Sequence, residues 1–388
     1  MKLALLACAM LFACSDRHGI VLWHSYQGDE RSALEQTAQA WNAAHPETPL
    51  DLVMVPYDAF GDKLSSAIPR GNGPDLFIYP QDRIGDWADS GVIEPIEFWV
   101  DDVRADRFTP DSFSAMAYRG SLWGLPMAMK SLALYYRSDL VAEPPKTTDE
   151  LMKLVPAMKA KQGYALAYAN VDLYGHAAWL HGFGGRVMDD AGNLTIATPA
   201  AANAMAFARE LVQTGAVPDD AQAPLVTSLF NEGRAAMVMS GPWFRADIRP
   251  GVPWHVAELP TVSATGKPAA PFRSAEALIM SARAHDKDAT FAVMDFLSGD
   301  VSATTRAHLA HQVVPNPAAY LDPDVAQDEP LAVFRRQLDH TVPLPTSPTM
   351  RVVWTPYRTA LGEVLAGRAE PTERLLGVER EVKDYTRR

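Results

Sequence analysis

Gly73-Pro74-Asp75-Leu76-Phe77-Ile78-Tyr79-Pro80-Gln81-Asp82-Arg83 is the stretch that decides how this chain reads. Leu76-Phe77-Ile78 shows no polar alternation. A strand covered on both faces needs just such a continuous apolar run, so it reads as an inner strand of an α/β sheet. Ligands of such sheets gather beyond the carboxyl ends of the strands. Tyr79, Asp82 and Arg83 follow at that point. A carboxylate, a guanidinium and an aromatic face suit a polyhydroxylated ligand. The charged groups take hydroxyls in directed hydrogen bonds and the ring covers an apolar sugar face. The plain alternative is a surface ion pair at a helix start, because Asp is also a good N-cap.

Working outward, strands and helices alternate on both sides of this segment. Ile20–His24 and 50–55 read as strands, and Asp29–His45 as a helix with Leu34, Thr37, Ala38 and Trp41 on one face. Helices are expected around 57–67 and over 83–90, the second closed by Gly91. Strand, helix, strand, helix, strand implies a parallel sheet. Further strands are expected at 130–136, 235–239 and 277–281, and helices from Thr147-Thr148-Asp149-Glu150 onward, at 200–214 and at 288–298. The Pro-rich stretches 315–330 and 342–356 read as loops.

The amino terminus gives an address. Lys2 precedes the apolar run Leu3–Ala13, which is too short to cross a bilayer and fits a secretory signal over residues 1–13. It ends in Leu11-Phe12-Ala13-Cys14-Ser15, which resembles a bacterial lipobox with Cys14 as the lipidated first residue. Phe12 is bulkier than that pattern favours. The alternative is an ordinary cleaved signal beside an incidental cysteine. Cys8 and Cys14 are the two cysteines of the chain, so disulfides and Cys-based metal centres drop out. A net charge of -12 argues against nucleic acid and anionic membranes as partners. With 388 residues the chain has room for two domains.

Signs of catalysis are sparse. The histidines are scattered, and His308 and His311 lack a completing ligand pattern, so no metal and no cofactor are expected. Gly182-Phe183-Gly184-Gly185 lacks the Lys-Ser/Thr of a P-loop, and no Gly-x-Ser-x-Gly elbow occurs. Aromatics at strand ends and in loops stand out instead: Tyr174 in Asp172-Leu173-Tyr174, Trp243 after Gly241-Pro242, and Trp354 in a Pro-rich loop before a helix from Thr355 to Ala366. Such platforms point to carbohydrate binding.

From Ile20 to the C-terminus the chain resembles an extracellular solute-binding protein of bacterial ABC importers, of the maltose/maltodextrin-binding type. The resemblance is carried by Gly73–Arg83 continuing to Ala88-Asp89-Ser90-Gly91, by Tyr118–Pro126, by Pro144-Pro145-Lys146-Thr147, by Phe230–Met237, by Ser240-Gly241-Pro242-Trp243 and by Trp354–Ala360. It implies an α/β fold of two lobes, each a mostly parallel sheet flanked by helices, with a hinge between them. Both lobes would be discontinuous: 14–128 with about 275–325, and about 129–274 with about 326–388. The ligand would be an oligosaccharide in the interlobe cleft, and the partners a membrane permease and, through Cys14, the membrane. The protein would be a monomer without enzymatic activity.

The resemblance also implies site residues. Asp82 and Arg83 match the family's Asp-Arg, and Tyr174, Trp243 and Trp354 its aromatic platforms. Asp172 stands where maltose binders carry Glu, and Tyr79 where they carry Trp. Two departures touch the site. Lys130 replaces an acidic residue, and Ser25-Tyr26-Gln27-Gly28 lacks an Asp-Lys pair, leaving Gln27 as the polar candidate there. Lys130 either meets an acidic ligand group or pairs with a carboxylate such as Asp172 or Glu276. Two rival functions stay open. One is a glycosidase using Asp82 with Asp172 or Glu276, which needs two carboxyls about 5–9.5 Å apart. The other is a sensory sugar-binding module.

Overall fold

The computed structural model describes residues 19–189 and 192–387, so the expected signal segment and Cys14 lie outside the described residues. Ile20–His24 sits between Leu50–Met54 and Leu76–Pro80 and runs parallel to both, with Leu22 opposite Leu52 and Leu76. The helices Gly28–Ala44 and Tyr57–Ala67 make the intervening connections. Leu22, Leu76 and Phe77 are completely buried, the physical reason their strands lack polar alternation.

Beyond this unit the sheets are mixed, which corrects the expectation of mostly parallel ones. Phe272–Met280 enters beside Leu76–Pro80 and runs antiparallel to it, and Leu125–Lys130 lies antiparallel on its other side. Val342–Pro343 adds a short parallel edge at Phe272. The second sheet has the order Trp254–Ala257, Ala133–Arg137, Ala235–Ser240, Tyr164–Ala167, and its single parallel pair is the last. Local strand–helix–strand units impose parallel pairing. Strands that arrive from the other sheet carry no crossover helix, so they are free to pair antiparallel.

The strand Phe272–Met280 ties the two bodies together. Phe272 packs in one buried cluster with Leu173, Leu180, Val353 and Tyr357, while Leu278 and Met280 share another with Leu22, Leu76 and Phe291. Thr147 caps the helix Thr148–Lys153 by accepting from the Glu150 N–H, while Glu150 Oε2 accepts from the Lys146 N–H at 2.7 Å.

Three local expectations need correction. The expected strand 130–136 is two strands, Leu125–Lys130 and Ala133–Arg137, one in each sheet. The stretch 315–330 holds the helical turns Pro317–Leu321 and Pro323–Ala326 and leads into a helix at Glu329–Gln337. The stretch 342–356 is mostly helix, because Pro348–Leu365 runs straight through Trp354 and Pro356. Pro323, Pro330 and Pro348 sit in first turns, where a missing N–H costs nothing, so these prolines start helices rather than prevent them.

Candidate functional site

One wall of the site is built at the end of Leu76–Pro80. Gln81–Arg83 is a single helical turn there, and Gln81 anchors it from below. Its buried amide accepts from the Ala275 N–H at 2.7 Å and donates to the Leu344 carbonyl at 3.4 Å. This fixes Asp82 against two segments that cross between the sheets. Burial pushes the Asp82 carboxyl up to about 6, against the Arg83 charge, its own backbone N–H and the Trp354 indole, which all favour the anion. The group therefore stays mostly ionised at neutral pH and acts as an acceptor.

Arg83 acts on Asp82 through its charge but makes its ion pair elsewhere. Its guanidinium pairs with Asp86 at 2.9 Å and lies 4.9 Å from the Trp87 ring centroid. One helical turn separates positions 83 and 86, so the nearer partner for a long side chain is the one along the helix. Tyr79 has its ring parallel to that of Tyr57, 5.9 Å between centroids and 7° between planes, and meets Trp87 edge-on at 5.0 Å. Tyr57 is 54% exposed, an aromatic that sequence reasoning missed. Its one signal was an apolar ring at the first position of a helix, where packing does not require it.

The facing wall comes from the second body. Asp172 caps the helix Leu173–Gly182 by accepting from the Tyr174 N–H at 2.9 Å, so its carboxylate is engaged in holding that turn. The Tyr174 hydroxyl is 3.1 Å from Ser274 Oγ, and its ring lies 6.4 Å from Trp243 and 6.2 Å from Phe272. Trp354 meets Phe272 edge-on at 6.4 Å. Trp243 is 40% exposed, and its ring folds back over Gly241, where an added Cβ would stand 2.1 Å from it. Only glycine can precede Pro242 in that arrangement.

A charged group closes one end. Lys130 is hydrogen-bonded to Glu30 and lies 3.5 Å from Glu276, and the Tyr26 hydroxyl donates to Glu276 at 2.6 Å. Its Nζ is 5.9 Å from the Trp243 ring centroid. Burial opposes the ammonium, but the Glu276 and Glu30 charges outweigh it and hold the pKa above the usual lysine value. Lys130 therefore has its carboxylates already, Glu276 as considered and Glu30 in place of Asp172. Of the two readings of Lys130, the structure shows the carboxylate pairing. Gln27 is exposed at the start of Gly28–Ala44 with no side-chain capping bond. A Cβ added at the neighbouring Gly28 would lie 3.9 Å from Ala246, in the turn that carries Trp243.

The structure thus brings Tyr79, Asp82, Lys130, Tyr174, Trp243 and Trp354 into one neighbourhood. The Tyr174 hydroxyl feels the charges of Lys130, Asp82 and Glu276 together. It diverts Arg83 and Asp172 to structural partners. A separate cavity of about 360 Å³, lined by Arg245, His308, His311, Asp324 and Asp328 among others, shares none of these side chains. His308, Asp322 and Asp324 come within 4.8 Å of one another nearby, but Asp322 caps a helical turn, and His308 and Asp324 are exposed.

The model of the family described as bacterial extracellular solute-binding protein matches residues 25–303. The maltotriose-binding protein of Pyrococcus abyssi is 29% identical over 89% of this chain and 77% of its own length. The maltooligosaccharide ABC transporter solute-binding lipoprotein of Streptococcus pneumoniae R6 is 26% identical over 88% and 82%. Among solved structures, a cyclo/maltodextrin-binding protein complexed with maltotetraose superimposes with a TM-score of 0.82 at 26% identity, covering 95% of this chain and 97% of that one.

Proposed function

The chain belongs to the bacterial extracellular solute-binding protein family, and from that premise we propose that it captures a maltooligosaccharide between its two lobes and hands it to the permease of an ABC importer. The observation that carries this reading is the arrangement of aromatic faces around a half-buried acceptor. Tyr57 with Tyr79, Trp354, and Tyr174 with Trp243 surround Asp82. Each ring can cover the apolar face of one sugar unit, and Asp82 accepts hydrogen bonds from the sugar hydroxyls. A glycosidase needs a paired acid and base. Of the two candidate partners for Asp82, Asp172 caps its own helix and Glu276 is held against the Lys130 ammonium. The family is one of binding proteins.

In this reading Asp82, Tyr79, Tyr174, Trp243 and Trp354 touch ligand, Gln27 borders the cleft, and Arg83 and Asp172 hold the walls in place. The chain crosses between lobes 14–128 with about 275–325 and about 129–274 with about 326–388, and the lobes close as hinged bodies. Calorimetric titration with maltotriose tests the proposal. Saturable binding of one sugar per chain, with the sugar recovered intact, supports it. Absence of binding, or release of glucose and maltose at enzymatic rates, defeats it.

We also place the protein outside the cytoplasm, tethered through a lipid on Cys14 and working as a monomer. The relative from Streptococcus pneumoniae is named a lipoprotein. Cys14→Ser expressed in a bacterial host that lipidates such signals should lose fatty-acid labelling and leave the membrane fraction. Wild-type protein that takes up no label would remove the anchor from the account.

A further inference from the structure

We propose that Glu30 and Glu276, held by Lys130, form an acceptor subsite for sugar hydroxyls at the Trp243 end of the cleft, and that this subsite rejects ligands carrying an acid group there. The proposal rests on the sugar-binding reading above and names residues and a ligand class that the reading does not.

Each carboxylate is pinned through one oxygen only. Glu30 Oε1 accepts from Lys130 and from Gln312 Nε2 at 3.1 Å. Glu276 Oε2 accepts from the Tyr26 hydroxyl at 2.6 Å and faces Lys130 Nζ at 3.5 Å. The other oxygen of each accepts nothing among the described residues, yet neither is a sealed, unsatisfied atom. The side chains agree: Glu30 and Glu276 keep 20% and 16% of their surface, while Lys130 keeps 9%. The cation is thus underneath and the two open oxygens are outermost.

Their position beside the cleft is independently marked. Lys130 Nζ lies 5.9 Å from the ring centroid of half-exposed Trp243, and Tyr174 feels both Lys130 and Glu276. The other cation near Glu276, Arg306, is fully buried and donates to the carbonyls of Leu297 and Met127. What a ligand meets outermost is therefore two fixed carboxylate oxygens, with the one nearby ammonium facing both carboxylates from beneath. A carboxylate accepts and cannot donate. A sugar hydroxyl satisfies it with a charge-assisted bond, stronger than one between neutral groups. A uronic acid brings a third carboxylate to a place where one ammonium already faces two, so like charges outnumber the cation. This is discrimination through a repulsive element as much as through an attractive one.

Titration of wild type, Glu30→Gln, Glu276→Gln and the double variant tests the subsite. Two probes are used, maltotriose and a trisaccharide of the same linkage with one terminal glucuronic acid. Wild type should bind maltotriose well and the acidic probe at least about tenfold more weakly. Each single variant should weaken maltotriose about ten- to a hundredfold, the loss expected for a hydrogen bond to a charged group. In the double variant Lys130 loses both partners and becomes available, so the preference for the neutral probe should shrink or reverse. A melting curve confirms that each variant is folded, and either single variant suffices if another fails to fold. Unchanged maltotriose affinity together with an unchanged preference would make the triad a structural ion pair and overturn the proposal. So would a wild type that prefers the acidic probe. If wild type binds neither probe, the sugar-binding reading itself has failed.

Discussion

Asp82 carries a stability cost that its function explains, and Asp82→Asn measures it. The ordinary aspartate value of 3.8 rises to about 6 in the folded chain, mainly through burial. Such a group loses its proton more readily unfolded than folded. The penalty is therefore absent below the unfolded value, grows between 3.8 and about 6, and is fully present above the folded value. Two units at about 1.36 kcal/mol each give about 3 kcal/mol. Residual contact with water lowers this, so about 1–3 kcal/mol is the working range. Asn keeps the shape and has no charge to lose. Urea unfolding should find Asp82→Asn more stable than wild type by about 1–3 kcal/mol at pH 7.5, with the gain falling to about half at pH 5. The same variant should bind maltotriose more weakly, because Asn accepts less strongly than a carboxylate. This is the expected trade of stability for a functional group. A gain that is equal at both pH values, or a variant less stable at pH 7.5, would refute the reasoning.

Two further predictions concern neighbouring features. A sugar covering about 100 Å² of Trp243 gains about 2.5 kcal/mol, so Trp243→Ala should weaken maltotriose about 50-fold in a fluorescence or calorimetric titration while the fold survives. Trp354→Ala should do the same and also lower stability, since Trp354 packs on Phe272 and favours the Asp82 anion. Normal binding by both would move the site elsewhere. His24, His176 and His181 are buried, and burial lowers their values to about 4, 3 and 4. Neutral when folded and protonated when unfolded, they should make stability fall as pH drops below 6.5. His176, whose ring nitrogens both lack partners among the described residues, alone accounts for about 2 kcal/mol at pH 5. Replacing it by Leu should flatten the pH profile of chemical denaturation by about that amount, and an unchanged slope would mean that His176 is protonated in the folded chain.

Much of the fold was legible because local rules and tertiary structure agree where the sheet is parallel. The strands at 20–24, 50–54 and 76–80 and their helices fall where apolar runs and caps place them. Legibility ended where the chain crosses between bodies. Nothing local distinguishes Leu125–Lys130 from Ala133–Arg137, and only the presence of two sheets separates them. Prolines misled in the C-terminal third, because the same residue that ends a helix also opens one. At the site, residue types were readable and partnerships were not. Asp82 and Arg83 adjoin in sequence, but Arg83 prefers Asp86 one turn away. The partners of Lys130 lie 100 and 146 positions off, at Glu30 and Glu276, a distance no spacing argument spans. Tyr57 was invisible for a related reason, since its importance comes from Tyr79 lying against it in space.

The central claim is that sugar is held between two lobes that close on it. Small-angle X-ray scattering with and without saturating maltotriose tests it most directly. A ligand that binds the closed form more tightly shifts the population toward that form. A smaller radius of gyration is expected with maltotriose present, at unchanged mass and with the sugar recovered whole. Saturating, calorimetrically confirmed binding with no compaction would contradict capture by lobe closure.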